Sequence, residues 1–375
     1  GKTAYRTGAS FFLLSKMLGA AARLYLVCLI LQNYVFGSMG VPFEITAAGT
    51  VFLIWLYTFR GGIKSLVWTD ALQTLCLITA LVLILYQLCR LNDFTVTEAI
   101  RHVTESPYGR WIEWDDWTSR QHFVKQFFSG VFIVIVMTGL DQDMMQKNLT
   151  CKNLRDAQKD MCSYGFSFIP LNMLFLGMGI LLLALASREG IALPVKGDDI
   201  LPLFCAEGYL GNEVLVLFTI GIIAAAFSSA DSALTALTTS FCVDILDVER
   251  RFARPEAVRK RVHGVIALLF VGFILCFEAV NDSSVIDAIY VVASYTYGPL
   301  LGLFAFGMFT RRKPWPAAVP WICVTAPVCC YLLDVWTASV YGYRFGYELL
   351  MLNGLFTFVG LYAFSKAYSP GMDKR

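Results

Sequence analysis

Apolar residues occur along this chain in ten long runs, each bounded by charged residues, proline or glycine. A run of about 18 apolar residues can cross the hydrocarbon core of a bilayer as a single α-helix. With tilt allowed, the pattern predicts ten spanning helices. They cover approximately residues 9–37, 43–59, 66–89, 122–145, 160–186, 213–245, 261–279, 284–309, 315–338 and 346–366.

The composition supports the same interpretation. Hydrophobic residues make up 57% of the 375 positions and charged residues 15%, whereas a soluble domain carries roughly 25% charged residues. Residues 1–375 are therefore predicted to form one all-α integral membrane domain whose partner is the lipid bilayer. The net charge of +2 gives no reason to expect a nucleic acid as a partner.

Lysine and arginine are unevenly distributed between alternate connections. If the first residue is cytoplasmic, the inner connections and ends carry more than twice as many of them as the outer connections. Because basic residues concentrate on the cytoplasmic side, both ends are predicted to be cytoplasmic, in a plasma membrane or a bacterial inner membrane. The chain begins at Gly1 rather than methionine, so it is expected to be truncated at its start.

The two longest outer connections, about 91–120 and 187–212, are predicted to lie at the membrane surface. The first contains Trp111, Trp114 and Trp117 among acidic residues. Tryptophan near a membrane boundary usually sits at the level of the lipid headgroups. We therefore expect interfacial lids here rather than a folded domain.

The densest polar cluster in any predicted span lies between residues 224 and 235 of the sixth run. Ser228, Asp231, Ser232 and Thr235 are spaced so that their oxygens follow one side of a helix. Hydroxyls with a single carboxylate suit a hard monovalent cation such as sodium. The alternative is that these hydroxyls bond to the preceding helical turn or join two helices.

Two further acidic positions stand near the ends of predicted spans. Asp70 lies about one turn inside the third run, where it is either a functional carboxylate or a solvated helix end. Asp141 and Gln142 follow Gly139 at the inner end of the fourth run. This pattern indicates either a broken helix that binds polar groups or an ordinary helix end.

Arg23 lies near the middle of the first apolar run, with Lys16 two turns before it. An arginine at this depth needs an anion or a carboxylate partner. A structural pair with Asp70 or Glu278 and a bound substrate anion are equally consistent with the sequence. No residue is assigned a catalytic role, and the three scattered histidines are assigned no function.

Three ordered segments resemble the sodium:solute symporter family. They read Gly-Gly-Ile-Lys-Ser-Leu-Val-Trp-Thr-Asp-Ala-Leu-Gln at 61–73, Asp-Gln-Asp-Met-Met-Gln-Lys at 141–147 and Ala-Ala-Phe-Ser-Ser-Ala-Asp-Ser-Ala-Leu at 225–234. The resemblance implies a LeuT-type helix bundle with inverted repeats. It also implies that residues 9–309 hold core helices three to ten, that residues 315–366 hold two peripheral helices, and that the first two core helices are missing.

The resemblance also implies ion sites. In the family the main sodium site lies between the first and eighth core helices, so Ala225, Ser228 and Ser229 would supply one half of it. Members with a second sodium use hydroxyls one turn further on and the acid of the Trp-Thr-Asp motif. The matching positions here are Asp70, Ser228, Asp231 and Ser232, although sialic acid transporters have a serine in place of Asp231.

The solute site is less well indicated by the resemblance. Sugar-transporting members stack a tyrosine on the sugar, but Met137 occupies that position here and Val134 replaces an asparagine, which disfavours a galactose-like mode. Sialic acid transporters bind the substrate carboxylate with an arginine about one turn from Arg23. The candidate substrate residues are Arg23, Met137, Thr138 and Gln142.

The function that the resemblance implies is sodium-coupled uptake of a small solute by alternating access, with Na⁺ as the coupling ion and no other cofactor. One alternative is a proton-coupled transporter that uses Asp70 or Asp231 as the proton carrier. Another is a sensor built on a symporter-like membrane domain. Because the first two core helices are expected to be missing, this chain alone is not expected to transport.

Overall fold

A computed structural model describes residues 1–58, 63–110, 112–280 and 285–367. Trp111 and the first two residues of the 61–73 motif lie outside these ranges. The described helices are α1 (Lys2–Leu31), α2 (Phe43–Thr58), α3 (Ile63–Leu91), α4 (Val96–Glu105), α5 (Phe123–Val134), α6 (Gln142–Leu149), α7 (Leu154–Glu189), α8 (Ile200–Ala206), α9 (Asn212–Ser240), α10 (Val248–Arg251), α11 (Pro255–Val280), α12 (Val285–Phe309), α13 (Ala318–Tyr341) and α14 (Leu349–Ala363). Two short antiparallel strands, β1 (Arg312–Pro314) and β2 (Ser365–Ala367), pair with each other.

Each of the ten predicted apolar runs contains a helix. Within the described residues, seven helices are long and apolar enough to cross a membrane. The other three apolar helices are shorter, and they cover Phe43–Thr58, Phe123–Gly139 and Leu349–Ala363. The prediction of an all-helical membrane protein is confirmed. The predicted run 122–145 differs most from the structure, because the chain breaks at Leu140 and Asp141 and the last residues of that run belong to α6.

Three of the helices, α1, α5 and α9, are followed directly by a π-helical turn. The turns are Gln32–Phe36 after α1, Ile135–Gly139 after α5 and Phe241–Leu246 after α9. After the second turn the chain breaks at Leu140 and Asp141 and resumes as α6, so of the two interpretations of this segment the broken helix is the one observed. A π turn inserts an extra residue into the helical hydrogen-bond ladder and often marks a functional site.

Two hydrophobic clusters meet on α9. One joins α1, α2, α9 and α11 around Tyr25, Leu237 and Phe270, and the other joins α3, α4, α7, α8 and the first turn of α9 around Leu88 and Phe204. In the first cluster, small residues such as the alanines of α1 and α9 let the backbones approach closely. As a result, α9 lies between α1 and α3.

The outer connections contain helices that the sequence analysis did not predict. In α4, Thr95 accepts a hydrogen bond from the backbone of Glu98, and the Glu98 carboxylate accepts one from the Thr95 backbone. The Thr95 hydrogen bonds lower the pKa of Glu98. This capping box is a visible sequence signal, Thr-x-x-Glu, so α4 could have been predicted. Because α4 and α8 pack against α7, these connections are structured rather than simple lids.

His263 on α11 is buried and links two neighbouring helices. Its Nε2 lies 2.9 Å from the Thr58 hydroxyl of α2, and its Nδ1 lies 3.0 Å from the Thr238 hydroxyl of α9. Buried polar groups need such partners, and these contacts give His263 a structural role in joining α2, α9 and α11.

Candidate functional site

A central cavity of about 400 Å³ lies between α1, the π turn Ile135–Gly139, α9 and α12. It brings together four candidate residues from three separate parts of the sequence. The lining residues are Arg23, Leu24, Leu26, Val27, Met137, Ala225, Ser229, Ile289 and Tyr290. Such a concave, mostly apolar space with a few polar groups is typical of small-molecule sites.

The helix α9 presents two adjacent serines to different surroundings. Ser229 lines the central cavity and is exposed to it. The Ser228 hydroxyl donates a hydrogen bond to the Asp70 carboxylate of α3. Successive residues of an α-helix point about 100° apart, which is why neighbouring serines reach the cavity and α3 respectively. The structure thus brings Asp70 and Ser228 into contact across 158 positions of sequence.

The other two predicted sodium ligands are deeper in α9. The side chains of Asp231 and Ser232 are 1% and 5% exposed, and neither lines the central cavity. Hydroxyl and carboxylate oxygens are the ligands that hard cations prefer. Among the described residues, no group of three or more His, Cys, Asp or Glu residues could hold a metal ion. The hydroxyls of Ser228 and Ser229 and the carboxylate of Asp70 are oxygen ligands of this hard type.

Arg23 lines the central cavity, and its side chain is exposed there. Among the residues that the structure describes, no carboxylate oxygen lies within 4.0 Å of its guanidinium group, so the predicted pair with Asp70 or Glu278 is not formed. Asp70 instead accepts the Ser228 hydrogen bond, and Glu278 is exposed at the far end of α11. A guanidinium group in a mostly apolar cavity is well placed to bind an anion.

The remaining candidate residues lie along the broken helix. Met137 lines the central cavity, and Thr138 follows it in the same π turn. Gln142 does not line the central cavity but lines a second one. The acid between them, Asp141, forms an ion pair with Lys16 of α1 at 2.6 Å, a pairing that the sequence analysis did not predict.

The second cavity, here called the inner cavity, has a volume of about 760 Å³ and lies near the start of α1. At its wall the Tyr5 hydroxyl donates to the Asp244 carboxylate, and the Ser240 hydroxyl donates to the other oxygen of Asp244 at 2.5 Å. The predicted topology places this end of the bundle on the cytoplasmic side. Its lining also includes Gly8, Phe12, Leu140, Gln142, Leu300, Leu303 and Phe304.

Sequence comparison finds sodium-coupled transporters whose names give different solutes, among them sialic acid, vitamins, glucose and iodide. A sodium/sialic acid symporter of Proteus mirabilis is 26% identical over 314 residues, which is 80% of this chain and 61% of the relative. A sodium/sialic acid symporter of Aliivibrio fischeri is 25% identical over 321 residues, which is 81% of this chain and 61% of the relative. The chain therefore spans less than two thirds of the length of either relative.

The fold has a counterpart among solved structures. A Na⁺-coupled sialic acid symporter in a substrate-bound outward-open state superposes with a TM-score of 0.75 at 20% identity, covering 96% of this chain and 75% of that one. This similarity confirms the LeuT-type helical fold. The sequence profile of the sodium:solute symporter family matches residues 17–318, which is most of the chain. The chain therefore belongs to the sodium:solute symporter family.

Proposed function

We propose that this protein carries out sodium-coupled secondary active transport of a small solute by alternating access. The observation that supports this most directly is the position of α9, which presents Ser229 to the central cavity and Ser228 to Asp70 of α3. A cation bound at these oxygens would contact both the solute cavity and the α3–α9 interface. The helix α9 would thereby couple ion binding to the shape of the central cavity.

Alternating access requires that sodium and solute bind one conformation better than the other. In this proposal sodium binds at Ala225, Ser228 and Ser229, and Asp70 supplies a negative charge near it. A second sodium ion in this proposal binds Asp70 and Ser228 together with the buried Asp231 and Ser232. Residues 1–375 act as a single transporter domain with both ends in the cytoplasm.

The solute in this proposal is an organic anion. Arg23 has no carboxylate within 4.0 Å among the described residues and faces the cavity that also contains Met137. Thr138 lies beside Met137, and Gln142 lies on the inner cavity, where a departing solute would meet it. The two relatives reported above are sodium/sialic acid symporters, so sialic acid is the first solute to test.

The test uses the full-length protein that contains residues 1–375, purified and reconstituted in liposomes. We expect retention of ²²Na⁺, and uptake of radiolabelled sialic acid driven by an inward sodium gradient, with both lost in Ser229→Ala. Thr219→Val is the matched control, because the Thr219 hydroxyl donates to Leu215 within α9. Uptake that follows a proton gradient in sodium-free buffer would support proton coupling instead. Sodium retention unchanged in Ser229→Ala would contradict the assignment of this site.

A further inference from the structure

The central and inner cavities lie one above the other along the bundle. On α1, Arg23 lines the central cavity and Phe12 lines the inner one. On α9, Ser229 lines the first and Ser240 the second. With a rise of 1.5 Å per residue, both helices give a separation of about 16 Å. A layer of protein therefore divides the two cavities.

The Lys16–Asp141 ion pair lies within this layer. Lys16 is about 6 Å beyond Phe12 and about 10 Å before Arg23 along α1. Asp141 stands between Leu140 and Gln142, which both line the inner cavity, and is four residues from Met137, which lines the central one, so the pair lies on the inner side of this layer. The side chains of Lys16 and Asp141 are 15% and 5% exposed, and neither lines either cavity.

The rest of the layer is tightly packed. Tyr297 of α12 is 3% exposed, and it lies between Tyr290 at the central cavity and Leu300 at the inner cavity. Val136, in the π turn, is fully buried and packs in the same cluster as Tyr297. The charged pair therefore shares this layer with closely packed aromatic and aliphatic side chains.

The attraction between the charges of a buried ion pair depends strongly on whether water reaches them. The two charges attract strongly in a medium of low polarity and weakly when water surrounds them. Losing one partner leaves an uncompensated buried charge, which is strongly unfavourable unless water enters. The broken helix beside Asp141 gives the chain a place to bend, because a π turn and a two-residue break leave its hydrogen-bond ladder incomplete.

We propose that the Lys16–Asp141 ion pair holds the partition between the central and inner cavities closed, and that the two cavities join when it separates. The proposal rests on the proposed transport function for its purpose, since a solute must cross this layer to reach the cytoplasm. Lys16 and Asp141 are positioning residues in this scheme, and neither needs to touch sodium or solute.

The test measures access to each cavity directly. Ile289→Cys places a thiol in the central cavity, and Leu303→Cys places one in the inner cavity. Each is introduced into the parent protein and into Lys16→Met and Asp141→Asn backgrounds. A membrane-impermeant methanethiosulfonate reagent is applied from the cytoplasmic face of oriented vesicles, and modification at each position is followed by mass spectrometry of the peptide that contains it.

In the parent we expect rapid modification at position 303 and slow modification at position 289. Both Lys16→Met and Asp141→Asn should raise the rate at position 289 at least tenfold and leave the rate at position 303 unchanged. The two substitutions change the local charge in opposite directions. A purely electrostatic effect on the reagent would therefore move the two rates in opposite directions.

Two controls complete the design. Asp244→Asn removes a carboxylate from the wall of the inner cavity, outside the partition, and should leave position 289 protected. The exchanged pair, Lys16→Asp with Asp141→Lys, should restore protection, which ties the effect to the pairing of the two charges. Elution of each single variant as one sharp species in size-exclusion chromatography checks that it is folded. A rate at position 289 that stays at the parent value in both single variants would overturn the proposal. The reagent needs neither sodium nor solute, so failure of this test is distinct from failure of the transport function.

Discussion

The side-chain amide nitrogen of Asn353 on α14 lies 2.9 Å from the carbonyl oxygen of Tyr295 on α12. In a regular helix that carbonyl would accept a hydrogen bond from the residue four positions on, but that residue is Pro299, which has no N–H. Asn353 also donates to the Ser294 carbonyl at 3.0 Å. A side chain of α14 thus supplies the hydrogen bond that the proline of α12 removes.

Replacing Asn353 with leucine should destabilise the bundle, because it leaves a buried carbonyl without a partner at a cost of about 1–3 kcal/mol. We expect a lower unfolding midpoint in detergent. Thr357→Val is the matched control, since the equally buried Thr357 hydroxyl donates to the Asn353 carbonyl within α14. Equal midpoints for Asn353→Leu and the parent would show that the contact contributes no stability.

Gly302 is expected to be required for the close approach of α12 and α14. A Cβ atom there would lie 2.5 Å from the Cβ of Thr357 and 2.6 Å from the carbonyl oxygen of Gly354. Gly302→Ala should therefore force the helices apart and cost about 1–3 kcal/mol. The control is Gly307→Ala on the same helix, where a Cβ meets nothing within 4 Å.

At position 307 alanine should be neutral or stabilising by up to about 1 kcal/mol, because it favours the helix more than glycine does. Unfolding midpoints of the two variants in one detergent provide the comparison. If Gly302→Ala were as stable as Gly307→Ala, the tight α12–α14 contact would be contradicted.

The Asp70 carboxylate is expected to raise the affinity for sodium. Asp70→Asn preserves the shape of the side chain and removes its charge. The sodium concentration for half-maximal ²²Na⁺ retention should rise by about tenfold, which corresponds to 1.4 kcal/mol. Asp244→Asn is the control, because Asp244 also accepts hydroxyl hydrogen bonds but lies at the inner cavity. Equal effects of the two substitutions would argue against a sodium role for Asp70.

Arg23 is expected to bind the anionic group of the solute. Arg23→Gln should weaken sialic acid binding by about tenfold or more while sodium retention stays the same, because the guanidinium group faces the cavity and not the α3–α9 interface. Arg23→Lys keeps the positive charge but cannot form the bidentate hydrogen bonds of a guanidinium group, so it should retain part of the affinity for the solute. The control is Arg6→Gln, on an exposed part of α1. Equal sialic acid binding by Arg23→Gln and Arg6→Gln would exclude a role for Arg23 in binding the solute.

The sequence by itself determined which segments are helical and which family the chain resembles. Apolar runs predict membrane helices because each helix satisfies its own backbone hydrogen bonds, so the signal is local in sequence. At Asp141 the sequence left a broken helix and an ordinary helix end open, and the structure shows the break. The missed helix α4 was also locally encoded, by its capping box at Thr95 and Glu98.

Only the tertiary structure decided which polar groups meet. Lys16 and Asp141 are 125 positions apart, and Asn353 and Tyr295 are 58 positions apart. From sequence, Arg23 was the basic residue expected to pair with an acid, but it faces the central cavity while Lys16 forms the buried pair. They are seven positions apart on α1, and which carboxylate each can reach depends on how the neighbouring helices pack against that helix. The sequence gives the charge of Lys16 and of Arg23, but it does not show which residues of other helices pack against each of them.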